Sequence, residues 1–139
     1  MKLSVKSDYA TRAVLGLARA SLSGRSMTVE ALAAEQNIPA NYLVQILIEL
    51  KSQQIVKSQR GKDGGYLLAK PPSEISMGMV LRCVHGSLFD TPALTDPLCP
   101  AELKSAWKKL QAAMDHASEE ITFQQLLDES HDKEKMYYI

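Results

Sequence analysis

The stretch Thr28–Lys70 reads TVEALAAEQNIPANYLVQILIELKSQQIVKSQRGKDGGYLLAK, and its reading decides the fold. Thr28 is an N-cap candidate, and Glu30 follows in the first turn, where the helix dipole favours a negative charge. A short helix over Val29 to about Glu35 is predicted. Asn37-Ile38-Pro39 breaks it, because Pro39 disfavours helical geometry at Ile38 and suits the start of a new helix. The next helix, about Pro39 to Ser52, places Leu43, Ile46, Leu47 and Leu50 on one buried stripe. Its outward N-terminal positions, Ala40, Asn41, Val44 and Gln45, are small or amide-bearing side chains of the kind that approach base edges. Ile55–Gln59 and Tyr66–Lys70 read as two strands around the tip Arg60-Gly61-Lys62-Asp63-Gly64-Gly65, whose glycines allow positive φ. Helix, turn, helix and a basic hairpin, in that order, are the parts of a winged helix-turn-helix.

Working outward, Ser7 is the predicted cap of a first helix to about Ser21, with Ala10, Ala13, Val14 and Leu17 on one face. After the hairpin, Pro71-Pro72 ends the sheet. Ser76 caps a short helix, about Met77 to His85, and Gly86 stops it. Ser87–Pro100 is a loop containing Pro92, Pro97 and Pro100. The longest amphipathic helix is predicted over about Ala101 to Glu119. Leu103, Ala106, Trp107, Leu110, Ala113, Met114 and Ala117 form a narrow seam close to a coiled-coil stripe. Either they pack on their own domain, or Leu103, Trp107, Leu110 and Met114 pair with a second copy. The homodimer is favoured because this helix has little other core to cover. Thr122 with Gln125 gives a capping box for a last short helix to about Asp128, and His131–Ile139 is a charged, then aromatic tail, expected to be disordered or docked on a partner. The expected class is mainly α with a small β-hairpin. Its expected units are a winged helix-turn-helix over 1–76, and a sensor loop with dimerisation helices over 77–139.

Composition bounds the function. The chain has 139 residues, enough for one domain with a real core, and 45% of them are apolar. Net charge is zero, but residues 1–70 hold ten Lys/Arg against five Asp/Glu, and residues 71–139 hold six against eleven. A basic half suits a polyanion and an acidic half does not. The N-terminal apolar stretch is broken by Arg12 and Arg19, so no signal peptide is expected, and no run is long enough for a membrane span. Two cysteines, Cys83 and Cys99, do not make a secreted disulfide scaffold, so the expected compartment is a reducing cytoplasm. No groups converge as catalysis requires, and the glycine-rich tip lacks the Gly-Lys-Ser/Thr of a P-loop, so an enzyme is not expected.

Three sets of residues carry the functional expectation. Thr28, Ala40, Asn41, Tyr42, Gln45, Arg60 and Lys62 are the candidate contacts to double-stranded DNA, with Arg60 suited to a narrow minor groove. The same fold can serve instead as a protein-interaction module. Leu103, Trp107, Leu110 and Met114 form the candidate dimer interface. Cys83, His85, Cys99 and His116 are metal-ligating types. They lack a C-x-x-C and place the cysteines sixteen apart, so no cofactor is assigned. A thiol or iron–sulfur sensor at Cys99 and Cys83 stands as the alternative. Cys99 is expected to be the more exposed and reactive thiol.

At this point the chain resembles the Rrf-two family of bacterial winged-helix transcription regulators, which includes the iron–sulfur cluster regulator, the nitric-oxide-sensing repressor and the cysteine-metabolism repressor. Met1-Lys2-Leu3-Ser4 with Tyr9-Ala10, then Ile38–Leu47, Leu50, Ile55-Val56, and Arg60-Gly61 to Gly64-Gly65-Tyr66-Leu67-Leu68 carry the resemblance over nearly the whole chain. It implies a homodimer crossed through the long helix, and the expected function is a sequence-specific DNA-binding regulator acting as a repressor. It also implies major-groove reading near Asn41, Tyr42 and Gln45, and a wing arginine at Arg60. Val44 replaces a glutamate of the iron–sulfur regulator, so that regulator's sequence preference does not transfer. Cluster-binding relatives place three cysteines before the long helix, where this chain has only Cys99. Some recruit a ligand from the partner's first helix, where this chain offers Asp8 and a poor ligand, Arg12. Members without clusters answer to a partner protein or to thiol oxidation.

Overall fold

The computed structural model describes residues 2–62 and 64–137, with side chains through 131. Among the described residues the order is α1 (Val5–Ser21), α2 (Val29–Gln36), α3 (Ala40–Ser52), β1 (Val56–Gln59), β2 (Gly65–Leu68), α4 (Met77–Val84), α5 (Ala101–Glu120) and α6 (Phe123–Tyr137), with 3₁₀ turns at Pro72–Glu74 and Pro92–Leu94. The class is therefore mainly α with a two-stranded antiparallel hairpin, pairing Val56 with Leu68 and Gln59 with Gly65.

One apolar core holds these elements. Ala10, Ala13, Val14 and Leu17 of α1 meet Leu32 of α2, the α3 stripe Leu43, Ile46, Leu47 and Leu50, and Ile55, Val56 and Ile75, all fully or almost fully buried. α1 begins one turn earlier than expected. Ser4, not Ser7, is the cap, and Ser7 is buried with its N–H donating to Ser4 Oγ at 3.3 Å. The expected caps at Thr28, Ser76 and Thr122 hold: each hydroxyl accepts a backbone N–H three residues on, from Ala31, Met79 and Gln125.

Two pairings lie outside the sequence reading. Met27, in the α1–α2 connector, exchanges backbone hydrogen bonds with Tyr66 of β2 at 3.0 and 2.7 Å. The approach is so close that a Cβ on Gly65 would lie 2.6 Å from the Met27 carbonyl carbon, which explains a glycine there. Ser76 bridges Thr122, and Met77 N–H donates to Ile121 O at 2.7 Å. This second bridge fastens the end of α5 to the start of α4. Arg82 of α4 pairs with Glu119 of α5 beside it.

The last helix is longer than expected, running past Asp128 to Tyr137. Glu129, Lys133, Glu134, Lys135 and Met136 are good helix formers, so the charged segment continues the helix. Only the final two residues of the expected tail lie outside the described residues. Phe123 and Leu127 of α6 are buried in the common core against α1. No helix among the described residues is long and apolar enough to cross a membrane.

Candidate nucleic-acid interface

The turn between α2 and α3 is set by Asn37, which closes α2 in the left-handed region at φ 56° and ψ 52°. Asparagine tolerates that conformation better than most residues. Ile38 is buried and donates to Ala33 O at 2.9 Å, so the turn is pinned to the core. Pro39 then sits at the N-cap of α3. With the α3 stripe buried, Ala40, Asn41, Val44 and Gln45 are left exposed, as expected for a helix presented to a groove. Tyr42 lies to one side. Its ring meets Tyr9 of α1 edge-on at 5.5 Å, and Arg12 lies over the Tyr9 ring at 5.8 Å. Tyr42 thus braces α3 against α1 while remaining partly exposed.

The hairpin tip turns through Gly61 at φ 110°, and Gly64 N–H donates to Gly61 O at 2.9 Å. Asp63 lies outside the described residues. Arg60 and Lys62 are exposed on the tip. The Met27–Tyr66 bridge positions the hairpin beside the connector before α2. Between them lies an open cleft of about 550 Å³ whose lining includes Arg25, Thr28, Gln59 and Lys62. A second cleft, about 360 Å³, gathers Lys51, Lys57 and Lys70 at the hairpin base. Two basic concavities of this kind suit phosphate groups. Sequence reasoning named Thr28 and Lys62 but missed Arg25 and the three lysines. They converge only when the hairpin folds back, and no local spacing signals that.

The long helix is almost bare. Of its twenty residues only Ser118 is buried, while Leu103, Leu110 and Met114 are 47%, 53% and 37% exposed. Trp107 is half-buried and packs on Phe89 of the preceding loop, ring centroids 5.9 Å apart. Gln111 Nε2 donates to Phe89 O at 3.2 Å alongside it. Trp107 therefore helps hold its own loop, at the border of the exposed Leu103–Leu110–Met114 strip.

Both thiols are half-buried, so exposure does not separate them as expected. Their surroundings do. Cys83 donates to Glu49 O at 3.3 Å, and burial pushes its thiol pKa up, with the Glu49 charge adding and Lys6 opposing. Cys99 Sγ donates weakly to its neighbour's carbonyl, Pro100 O, at 3.6 Å. Cys99 is accordingly expected to alkylate about fivefold faster than Cys83 in the native protein at neutral pH. Quantified labelling by mass spectrometry checks this, and equal or slower labelling at Cys99 removes it as a reactive thiol.

Among the described residues no three His, Cys, Asp or Glu side chains come together. Asp8, the first-helix carboxylate, is paired with Arg12 at 2.9 Å. His116 pairs with Glu120 on the surface of α5.

Comparison with known proteins agrees with this architecture. Residues 3–129 match the Rrf2 family model, described as an iron-dependent transcriptional regulator. A Mycobacterium tuberculosis chain bearing the name of an HTH-type transcriptional regulator is 40% identical over 136 residues, spanning 88% of this chain and 78% of its own length. The solved structure of T. potens IscR is similar at a TM-score of 0.79 and 30% identity, covering 99% of this chain and 97% of that one. The structure of CymR, the global cysteine regulator of B. subtilis, shares the fold at a TM-score of 0.79 and 24% identity, covering 91% and 95%.

Proposed function

This chain belongs to the Rrf2 family of helix-turn-helix, DNA-binding transcription regulators, and from that premise we propose that it acts as a homodimeric repressor in the cytoplasm. The observation that carries the reading is the pairing of two exposed faces on one fold. The outward side of α3 stands next to a basic hairpin, and the apolar strip of α5 stays open to solvent among the described residues. One face suits a groove, and the other suits a second copy that would present a second α3 to a second half-site.

In this reading residues 1–76 hold the DNA and residues 77–139 pair the copies and carry the signal. Asn41 and Gln45 face base edges from α3, with Ala40 allowing close approach and Tyr42 bracing the helix. Thr28, Lys62 and Arg25 hold phosphates across the cleft at the hairpin, and Arg60 reaches the minor groove. Leu103, Leu110 and Met114 form the centre of the dimer seam, with Trp107 at its margin. The signal reaches α5 through the Phe89–Trp107 contact, from thiol chemistry at Cys99 or from a regulatory protein seated on its loop. Cys83 is the subordinate thiol. No step depends on a cluster.

Arg60→Ala is expected to weaken binding roughly tenfold, most on sites that place an A/T-rich minor groove under the hairpin. Wild-type affinity should also fall steeply with salt, as counterions leave the phosphates. Fluorescence anisotropy on duplexes recovered by genomic-fragment selection measures both. If selection enriches no sequence and Arg60→Ala changes nothing, the fold serves protein contacts instead.

A further inference from the structure

Opposite the buried stripe of α3 runs the line Asn41, Gln45, Ile48 and Ser52, spaced four, three and four residues apart. On a merely solvated helix this line would carry charged or amide side chains. Ile48 instead stands in its middle, 52% exposed, and Val44 flanks it, 37% exposed. Single exposed apolar residues are ordinary on protein surfaces. Two branched ones, one turn apart and interleaved with the amides of Asn41 and Gln45, are a patterned face. That face continues the surface assigned above to base reading.

The DNA major groove offers one apolar feature, the C5 methyl group of thymine. Its other edges are hydrogen-bond donors and acceptors, which Asn41 and Gln45 can satisfy and Ile48 and Val44 cannot. The geometry points to Ile48 and Val44 as specificity-determining residues that read thymine methyl groups in each half-site. Four residues of helix advance about 6 Å, and base pairs along a strand are about 3.4 Å apart. The two methyls recognised therefore lie within roughly two base pairs of each other. Asn41 and Gln45 suit adenine N6 and N7 beside them. A half-site with neighbouring A·T pairs follows from the two pairs of side chains together. The inference rests on the assignment of α3 to base reading and goes beyond it, in naming the atoms read and the residues that read them.

The test uses the full-length chain and duplexes of roughly 30 base pairs, room for two half-sites a turn apart, taken from genomic-fragment selection. Each thymine is replaced singly by deoxyuridine, which removes only the methyl group. Two neighbouring positions per half-site are expected to lose about fourfold in affinity each, the worth of one buried methyl. That loss should vanish at one position in Ile48→Ala and at a neighbouring one in Val44→Ala. Both side chains are exposed, so neither substitution removes core, and the wild-type series needs no variant at all. Undiminished binding to every deoxyuridine duplex overturns the inference while leaving DNA binding intact. Equal losses in wild type and both variants overturn the assignment to these residues. Failure to bind any selected duplex removes the base-reading assignment itself, and this inference with it.

Discussion

Leu110→Glu is expected to convert the protein to a monomer at micromolar concentration and to cut its affinity for a two-half-site duplex by about a hundredfold or more. Leu110 is 53% exposed in the single chain, so the carboxylate costs the isolated fold almost nothing. In a paired seam the same carboxylate would face Leu103, Met114 and the second copy's own carboxylate at position 110, unpaired and out of water, which is costly. The large effect on DNA follows from lost multivalency. A second α3 tethered to the first meets its half-site at an effective concentration in the millimolar range, and a monomer forfeits that gain. Sedimentation gives the mass, circular dichroism the fold, and anisotropy the affinity. A wild-type chain that sediments as a monomer, or a Leu110→Glu variant that stays dimeric, ends the pairing assignment.

Phe123→Ala is expected to destabilise the chain by about 3–5 kcal/mol, the range for emptying a buried aromatic site. Phe123 is fully buried, and its N–H donates to Ile75 O at 3.0 Å, so the ring enters the core just after the polypeptide leaves α5. The cavity would open between α6 and α1, beside the Ser76–Thr122 backbone bridge that holds its rim in place, so collapse around it is limited. The melting temperature should fall by roughly 10–20 °C for a domain of this size. Thermal unfolding at fixed protein concentration measures it, because pairing of copies would make the midpoint concentration-dependent. A fall of only a degree or two would show that α6 is an accessory to the core and not part of it.

The helix-turn-helix was legible because its signals are local. A cap at Thr28, a break at Asn37-Ile38-Pro39 and a stripe at Leu43, Ile46, Leu47 and Leu50 each act within a few residues, and each stands where expected. The hairpin was legible for the same reason, although each strand is one residue shorter than Ile55–Gln59 and Tyr66–Lys70, and the second begins one residue earlier, at Gly65. Ser7 was expected to cap α1, and Ser4 does so instead, a choice that composition does not make. Burial of Ser7 does, and burial is a property of the whole fold. The bridge from Met27 to Tyr66 joins backbone groups thirty-nine positions apart in the sequence, and backbone atoms carry no side-chain signature. The basic clefts depend on those long-range pairings, so Arg25, Lys51, Lys57 and Lys70 could not be gathered from spacing. Trp107 fell into the seam by periodicity alone. Its stacking on Phe89 moves it to the seam's margin, and only the course of the loop reveals that.

The fastening of Ser76 to Thr122, with Arg82 against Glu119, closes α4 and α5 at one end and leaves their connection, residues 85–100, at the other. This divides the chain's tolerance for change very unevenly. A lengthened or rewritten connection has its anchors already held, since a longer loop adds little closure cost between ends that are fixed. The frame carrying α3 need not shift when that happens. In the proposed reading such a design is a socket: one DNA-holding body would accept different detectors over evolutionary time, with Phe89 and Trp107 as the plug by which a new detector would be felt.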